Sequence, residues 1–238
     1  MTPILFYGVP LGCSFGSIAA LEWLGEPYRL CRVELPEQSQ SPEYKGVNPI
    51  GETPALLTAS GEVVSEGLAI FQHIAARGLE KGLGWPQGTP EFDAFNRMLS
   101  FLTTRFFSAF NPLWFSYEFL DETEKKTVLR EEGKALVEAA FHKLEALLGE
   151  RSWLVGDRIS MADAYYVGVA RWVDFHQITD WSAFPRARAL YERAESDPAI
   201  AFAHAIERGE APAGVGAFRG HIALADIARE RSRLMAAE

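Results

Sequence analysis

The sequence predicts an α/β domain followed by an all-α domain, and three observations carry that prediction. The first 76 residues alternate short apolar runs with helical patterns in the order β-α-β, loop, β-β-α. The stretch 78–90 is rich in glycine and proline and has no apolar period, as a linker would be. From residue 92 onward apolar side chains recur at three- and four-residue spacing. The domain boundaries that follow are 1–80, 90–210 and a C-terminal extension, 211–238.

Taken in order, Ile4-Leu5-Phe6-Tyr7 reads as a buried strand, and the turn Tyr7-Gly8-Val9-Pro10-Leu11-Gly12 leads into a helix from Ser14 to Leu24. Gly25 and Pro27 stop that helix. The segment 28–35 then alternates apolar with polar residues, as a half-buried strand does, which closes a β-α-β unit. After a polar loop, Ala55-Leu56-Leu57 and Val63-Val64 flank Ala59-Ser60-Gly61 as a hairpin, and a helix runs over 66–76. This is too short for a doubly wound dinucleotide domain, and no Gly-x-Gly-x-x-Gly follows the first strand.

In the helical half, Phe92, Phe95, Leu99, Leu102, Phe106 and Leu113 predict one long helix, and Val137, Phe141, Leu144 and Leu148 a second. Ser160-Met161-Ala162-Asp163 has capping-box spacing ahead of the apolar run Ala164 to Trp172. Folding is sufficient reason for Ser160 and Asp163. A further helix is expected over 184–193. The Pro- and Gly-containing stretch 211–220 leads to a charged terminal helix, 222–235, either a lid or a helix packed on the bundle, with packing the default.

Composition narrows the function classes. The chain has 238 residues, a net charge of -9 and 48% hydrophobic residues. It can build a sizeable core, and its field repels nucleic acid, for which no basic stripe compensates. The first residues, MTPILFYGVP, lack a basic region ahead of a long apolar segment, so a cytoplasmic location is expected. Two cysteines, Cys13 and Cys31, are too few for a secreted disulfide scaffold. Cys31 alternates within the second strand and reads as core. The five histidines show no ligand spacing, and no metal is expected.

Four motifs carry more. They are Pro10-Leu11-Gly12-Cys13-Ser14, the run 47–56 (VNPIGETPAL), Ser65-Glu66-Gly67-Leu68-Ala69-Ile70, and the run 156–165 (GDRISMADAY). Together, in this order, they resemble the glutathione transferase family, most nearly its bacterial beta class, over about residues 3 to 205. The resemblance implies a thioredoxin-like N-terminal domain, a helical C-terminal domain, glutathione as substrate and a homodimer. It implies a cis peptide before Pro54 and a Thr53 backbone that pairs, strand-like, with the cysteinyl part of glutathione. Glu66 and Gly67 would open a helix whose amides suit the γ-glutamyl carboxylate, with Glu66 accepting from the ligand's ammonium.

Cys13 would then sit at the start of the first helix beside the glutathione sulfur, where amides and the helix dipole favour a thiolate. Ser14 is the alternative group for that sulfur. A second cysteine three residues on would resolve a mixed disulfide, but Gly16 stands there. Phe107 and Ser108 occupy the places of the beta-class histidine and lysine, and the loop Pro36 to Glu43 lacks the basic residue many members set near the glycine carboxylate. Phe107, Phe110, Trp114 and Trp172 are the expected walls of a cleft for an apolar or aromatic electrophile. The expected activity is a glutathione transferase, by conjugation or by thiol exchange through Cys13. The alternative is a protein that keeps the fold, and a ligand cleft, without turnover.

Overall fold

The structure is a computed structural model that describes residues 1–9, 11–118 and 123–227. It divides into two compact units, one formed by residues 1–83 together with the chain from Asp197 onward, the other by Gly84–Ser196.

The first unit is built on a five-stranded sheet. Strands β1 (Ile4–Val9), β2 (Tyr28–Glu34), β3 (Ala55–Leu57), β4 (Val63–Ser65) and β5 (Phe218–His221) lie in the order β4-β3-β1-β2-β5. β1 runs parallel to β2 and antiparallel to β3, β3 is antiparallel to β4, and β5 is parallel to β2. Helix α1 (Phe15–Leu24) connects β1 to β2, α2 (Pro42–Lys45) is a single turn, and α3 (Gly67–Arg77) follows β4. These elements match the sequence expectation apart from α2, which lies in the segment read as a polar loop, and β5.

α1 is apolar almost all round, so it has no solvent face and must be covered on every side. The sheet and α3 supply part of that cover. The rest comes from α10 (Pro198–Glu207), where His204 meets Phe15 edge-on at 4.6 Å and Asp197 accepts a 2.9 Å hydrogen bond from the Trp23 indole. The need to bury α1 explains why the chain from Asp197 onward belongs with the N-terminal unit instead of the bundle, where the sequence division placed it. Gly25, at φ 62°, ends α1 with its N–H on Leu21 O, as a left-handed cap does.

The second unit is helical. Thr89 caps α4 (Pro90–Phe101), its hydroxyl accepting from Phe92 N, with Pro90 in the first turn. The expected single helix does not continue from there. Residues Leu102–Phe107 widen into a π-helix, Ser108–Phe110 tighten into a 3-10 turn, and α5 (Asn111–Phe115) follows. Ser108 donates to Thr103 O, five residues back, at 3.2 Å, while Thr103 and Thr104 donate to carbonyls four back. Such side-chain competition for helix carbonyls favours a locally widened turn. Helices α6 (Glu124–Leu148), α7 (Met161–Ala170), α8 (Trp172–His176) and α9 (Pro185–Glu195) complete the unit.

α7 is buried along its whole length, and the capping box is formed: Asp163 accepts from Ser160 N and Oγ at 2.8 Å each and from Leu154 N at 2.9 Å. Without carrier groups for these three donors the buried loop would hold unpaired polar atoms. Gly133 of α6 marks a close approach, since a Cβ there would lie 2.6 Å from Leu113.

The extension differs from expectation. The stretch 211–220, read as an irregular connector, contains β5. Residues 224–227 are helical, and the remainder of the expected terminal helix lies outside the described residues.

Candidate functional site

The sheet's registers bring three segments to one end. β3 pairs antiparallel with both neighbours, with Phe6 opposite Ala55 and Ala55 opposite Ser65. The chain leaving β1, the chain entering β3 and the chain leaving β4 therefore converge. These carry Cys13-Ser14, Thr53-Pro54 and Glu66-Gly67.

Local chemistry fixes each segment. Gly8 has no side chain because a Cβ there would lie 2.4 Å from Thr53 Oγ1, so the glycine lets the Thr53 loop settle on β1. Gly12 is equally constrained: its Cβ would lie 2.2 Å from the Gly8 carbonyl. Neither glycine was singled out as a site residue by the sequence, although both lie in its first turn. The peptide before Pro54 is cis, and the Glu52 carbonyl beside it accepts from Tyr44 OH at 2.7 Å and from Asn48 Nδ2 at 2.8 Å.

Cys13 is half-buried, and its Sγ–H donates to Thr53 O at 3.2 Å. Ser14 is placed differently: it is 1% exposed and its Oγ accepts from Gly8 N at 3.1 Å, which makes it a brace of the turn. Cys31 is buried on β2, and burial pushes its thiol up to about 12, as a core cysteine's would be. Glu66 is exposed and holds φ 68°, a conformation costly for any residue with a Cβ and concentrated at functional positions. Gly67 opens α3, and a Cβ there would meet nothing within 4 Å. In the loop after β2 the side chains are neutral or acidic up to Glu43; Gln38 accepts from Glu34 N and Gln40 donates to Gly51 O.

The four expected cleft aromatics lie in one cluster of the helical unit, but not as four walls. Trp172 centres it, 5.5 Å from both Phe107 and Phe110 and 5.1 Å from Trp114. Phe110 and Trp172 are 0% and 3% exposed, interior members of the helical packing, with Trp172 one turn from the buried His176 on α8. Phe107 and Trp114 are half-buried and keep a face outward.

Three further side chains join that cluster without having been flagged. Phe175 stacks on Trp114 at 5.5 Å, Tyr117 lies 5.8 Å from Phe175, and His176 meets Trp114 edge-on at 4.6 Å. His176 is 1% exposed and its Nε2 has no hydrogen-bond partner among the described residues. Burial, reinforced by Arg130, pulls its pKa down to about 4, so it is neutral at ordinary pH. The four-residue step from Trp172 to His176 was the signal available in the sequence. Among the described residues no group of three or more His, Cys, Asp or Glu could hold a metal ion, and no helix is long and apolar enough to cross a membrane.

A sheet domain with a cysteine turn, a cis-proline and a helix-opening Glu-Gly at one end, followed by a helical domain, defines the class of thioredoxin-like domains joined to an α-bundle. Residues 13–77 match the family description "Glutathione S-transferase, N-terminal domain" and residues 96–198 "Glutathione S-transferase, C-terminal domain". The chain belongs to the glutathione S-transferase family. It is 31% identical over 170 residues to "Glutathione S-transferase GstA" of Escherichia coli O157:H7, covering 71% of this chain and 81% of that one. Among solved structures it is similar to a sphingomonad glutathione S-transferase complexed with glutathione, at TM-score 0.76 and 27% identity, covering 86% of this chain and 98% of that one. A beta class glutathione S-transferase from Sphingomonas chungbukensis gives TM-score 0.73 and 27% identity, with 86% and 98% covered.

Proposed function

We propose that this protein is a glutathione-dependent transferase of the cytoplasm, acting as a homodimer in the detoxification of apolar or aromatic electrophiles. One observation carries the reading: the Cys13 thiol lies on the Thr53 carbonyl at the sheet end where Glu66 and Gly67 open α3. That arrangement suits a tripeptide thiol, and the sphingomonad relative is complexed with glutathione. Thr53 pairs with the cysteinyl backbone, Glu66 accepts from the ammonium, and the first amides of α3 take the γ-glutamyl carboxylate. The buried Pro54 underlies the ligand's sulfur.

Cys13, half-buried, is the group beside the ligand's thiol, and Ser14, held by Gly8 N, acts one step removed. In conjugation the glutathione thiolate bonds the electrophilic carbon, and the leaving group departs with its electron pair. In thiol exchange the Cys13 thiolate attacks a glutathione mixed disulfide, forms a new S–S bond with one of its sulfurs and releases the other as a thiolate. A second glutathione then reduces Cys13, since Gly16 stands where a resolving cysteine would be and Cys31 is locked in the core. Phe107 and Trp114 offer the apolar surface for the second substrate, with Phe110 and Trp172 behind them.

The absence of a cation between Pro36 and Glu43, and Phe107 with Ser108 in place of polar partners, favour a second reading in which the fold binds ligand without turnover. Calorimetric titration of the reduced protein with glutathione, repeated with Glu66→Ala, decides between them at the first step. Binding that Glu66→Ala weakens supports the site. Absence of binding at millimolar glutathione removes the glutathione-dependent reading. Turnover of an aromatic electrophile then separates enzyme from binding protein.

A further inference from the structure

We propose that the C-terminal extension positions the backbone of Glu52 and Thr53, acting through Tyr44. The extension lies beyond residue 198, where the match to the family ends. It is stitched to the rest of the first unit over residues 215–222. Val215 N donates to Glu22 Oε2 at 2.7 Å, Tyr28 N donates to Ala217 O at 3.2 Å, Ile222 N donates to Leu30 O at 2.9 Å, and Tyr7 OH pairs with His221 Nε2 at 3.1 Å.

After β5 the chain turns onto the opposite sheet face. Tyr7 and Leu30 belong to the face covered by α1 and α10, whereas Ile4, Phe6, Cys31 and Val33 point the other way and form a cluster with Tyr44, Ile222 and Ile227. α2 is one turn long and covers little of this face by itself. The extension supplies the missing layer: Ile222 and Ile227 are 7% and 1% exposed, and Leu224 packs beside them.

Tyr44 is the link between that layer and the site. Its ring is fully buried and sits edge-on to Phe6 at 5.6 Å. Its hydroxyl donates to Glu52 O, one residue before the carbonyl that receives the Cys13 thiol. A buried tyrosine hydroxyl holds its acceptor firmly only while apolar neighbours keep water away and keep the ring in place. Stripping Ile222 and Ile227 from the cluster opens the ring to water, and the Glu52 carbonyl loses one of its two donors, Asn48 Nδ2 being the other. Tyr44 is thus a positioning residue, and the extension is what makes it rigid.

The part of the inference that concerns glutathione affinity rests on the proposed function; the coupling itself does not. The test uses the full chain with Ile222→Ala/Ile227→Ala, Tyr44→Phe and the three substitutions combined, and the milder Ile227→Val in case the double variant folds poorly. The first readout is amide hydrogen exchange at Gly51, whose N–H donates to Asn48 O at 2.9 Å, taken as a ratio to Ile18 of α1, whose N–H donates to Ser14 O. Global destabilisation moves both amides together and leaves the ratio alone. The expected ratio rises about tenfold in both the Ile222→Ala/Ile227→Ala and the Tyr44→Phe variants, several-fold in Ile227→Val, and no further when the three substitutions are combined, the mark of a shared route. Glutathione affinity falls about fivefold in parallel. An unchanged ratio in the Ile222→Ala/Ile227→Ala and Ile227→Val variants, or full additivity with Tyr44→Phe, overturns the inference. Wild-type protein that binds no glutathione sinks the proposed function and leaves the exchange result to decide the coupling.

Discussion

Gly67→Ala separates ligand contact from folding more sharply than removal of any charged group. The position opens α3, its φ is not in the left-handed region, and an added Cβ meets no atom within 4 Å. Nothing among the described residues resists the methyl group. Alanine is worth about 0.5–1 kcal/mol over glycine inside a helix, and less in its first turn, so folding stability stays level or rises by up to about 1 kcal/mol. If the empty space is where the γ-glutamyl carboxylate approaches the helix amides, the same methyl group keeps the ligand from closing to hydrogen-bond distance. A tenfold loss of affinity corresponds to about 1.4 kcal/mol, the minimum expected when one charge-assisted hydrogen bond is stretched. Urea melts and calorimetric glutathione titrations of the same preparation measure both quantities. Unchanged affinity refutes the placement of the ligand, and a stability loss above about 1 kcal/mol refutes the claim that the space is open.

Other outcomes are equally definite. Asp163→Ala leaves the Ser160 N, Ser160 Oγ and Leu154 N donors buried without acceptors and costs about 3–5 kcal/mol in denaturant melts; a loss under 1 kcal/mol contradicts the role of the box. His176 stays neutral in the folded protein down to about pH 4, while the unfolded chain takes up a proton near 6.5, so stability falls as pH drops through that window, by up to about 3 kcal/mol. Asp163 runs the opposite way, its folded pKa raised by burial to about 6, so its penalty grows as pH rises from about 4 toward 6. His176→Phe removes only the first effect, so between pH 6.5 and 4 the variant gains up to about 3 kcal/mol of stability relative to wild type; identical slopes refute the assignment. Cys13→Ser abolishes glutathionyl transfer to a disulfide substrate and spares conjugation within about tenfold; exchange activity at the wild-type rate rules out Cys13 as the exchanging thiol.

The N-terminal order of strands and helices was legible because each element announces itself locally. Residues 4–7 are uniformly apolar, 28–35 alternate, and Ala59-Ser60-Gly61 is a turn between two short apolar runs. The capping box was legible because Ser160 and Asp163 carry both halves of a reciprocal bond three residues apart. The strand β5 was not, since Phe218-Arg219-Gly220-His221 has no apolar alternation and becomes a strand only by pairing with β2, some 190 residues earlier in the chain.

The candidate site divides along the same line. The positions of Cys13, Thr53 and Glu66 follow from their motifs, whereas the inward turn of Ser14 depends on the amide of Gly8, and the burial of Phe110 and Trp172 depends on how α5 and α8 pack. Helical spacing says which residues share a face and leaves open which of them that face hides. The contribution of α10 could have been inferred from α1 alone, because a helix with no polar side needs more neighbours than one sheet and one helix provide.

The π-helix at Leu102–Phe107 changes the phase of everything that follows it. Each residue of an α-helix advances the side-chain direction by about 100°, so a turn that stores one extra residue rotates the rest of the helix by roughly that angle relative to an unwidened one. Phe106, which sits 4.9 Å from Phe141, and Phe107, which faces Trp172, take their different directions from inside this turn. A relative with a regular helix here presents a different side chain in the direction of Phe107 even when the residues are counted off one for one. Alignments through 102–107 accordingly need a one-residue gap before any side chain is matched by direction, and deletion of Thr103 is the minimal change that would restore a regular turn while leaving Phe110 in its inward direction.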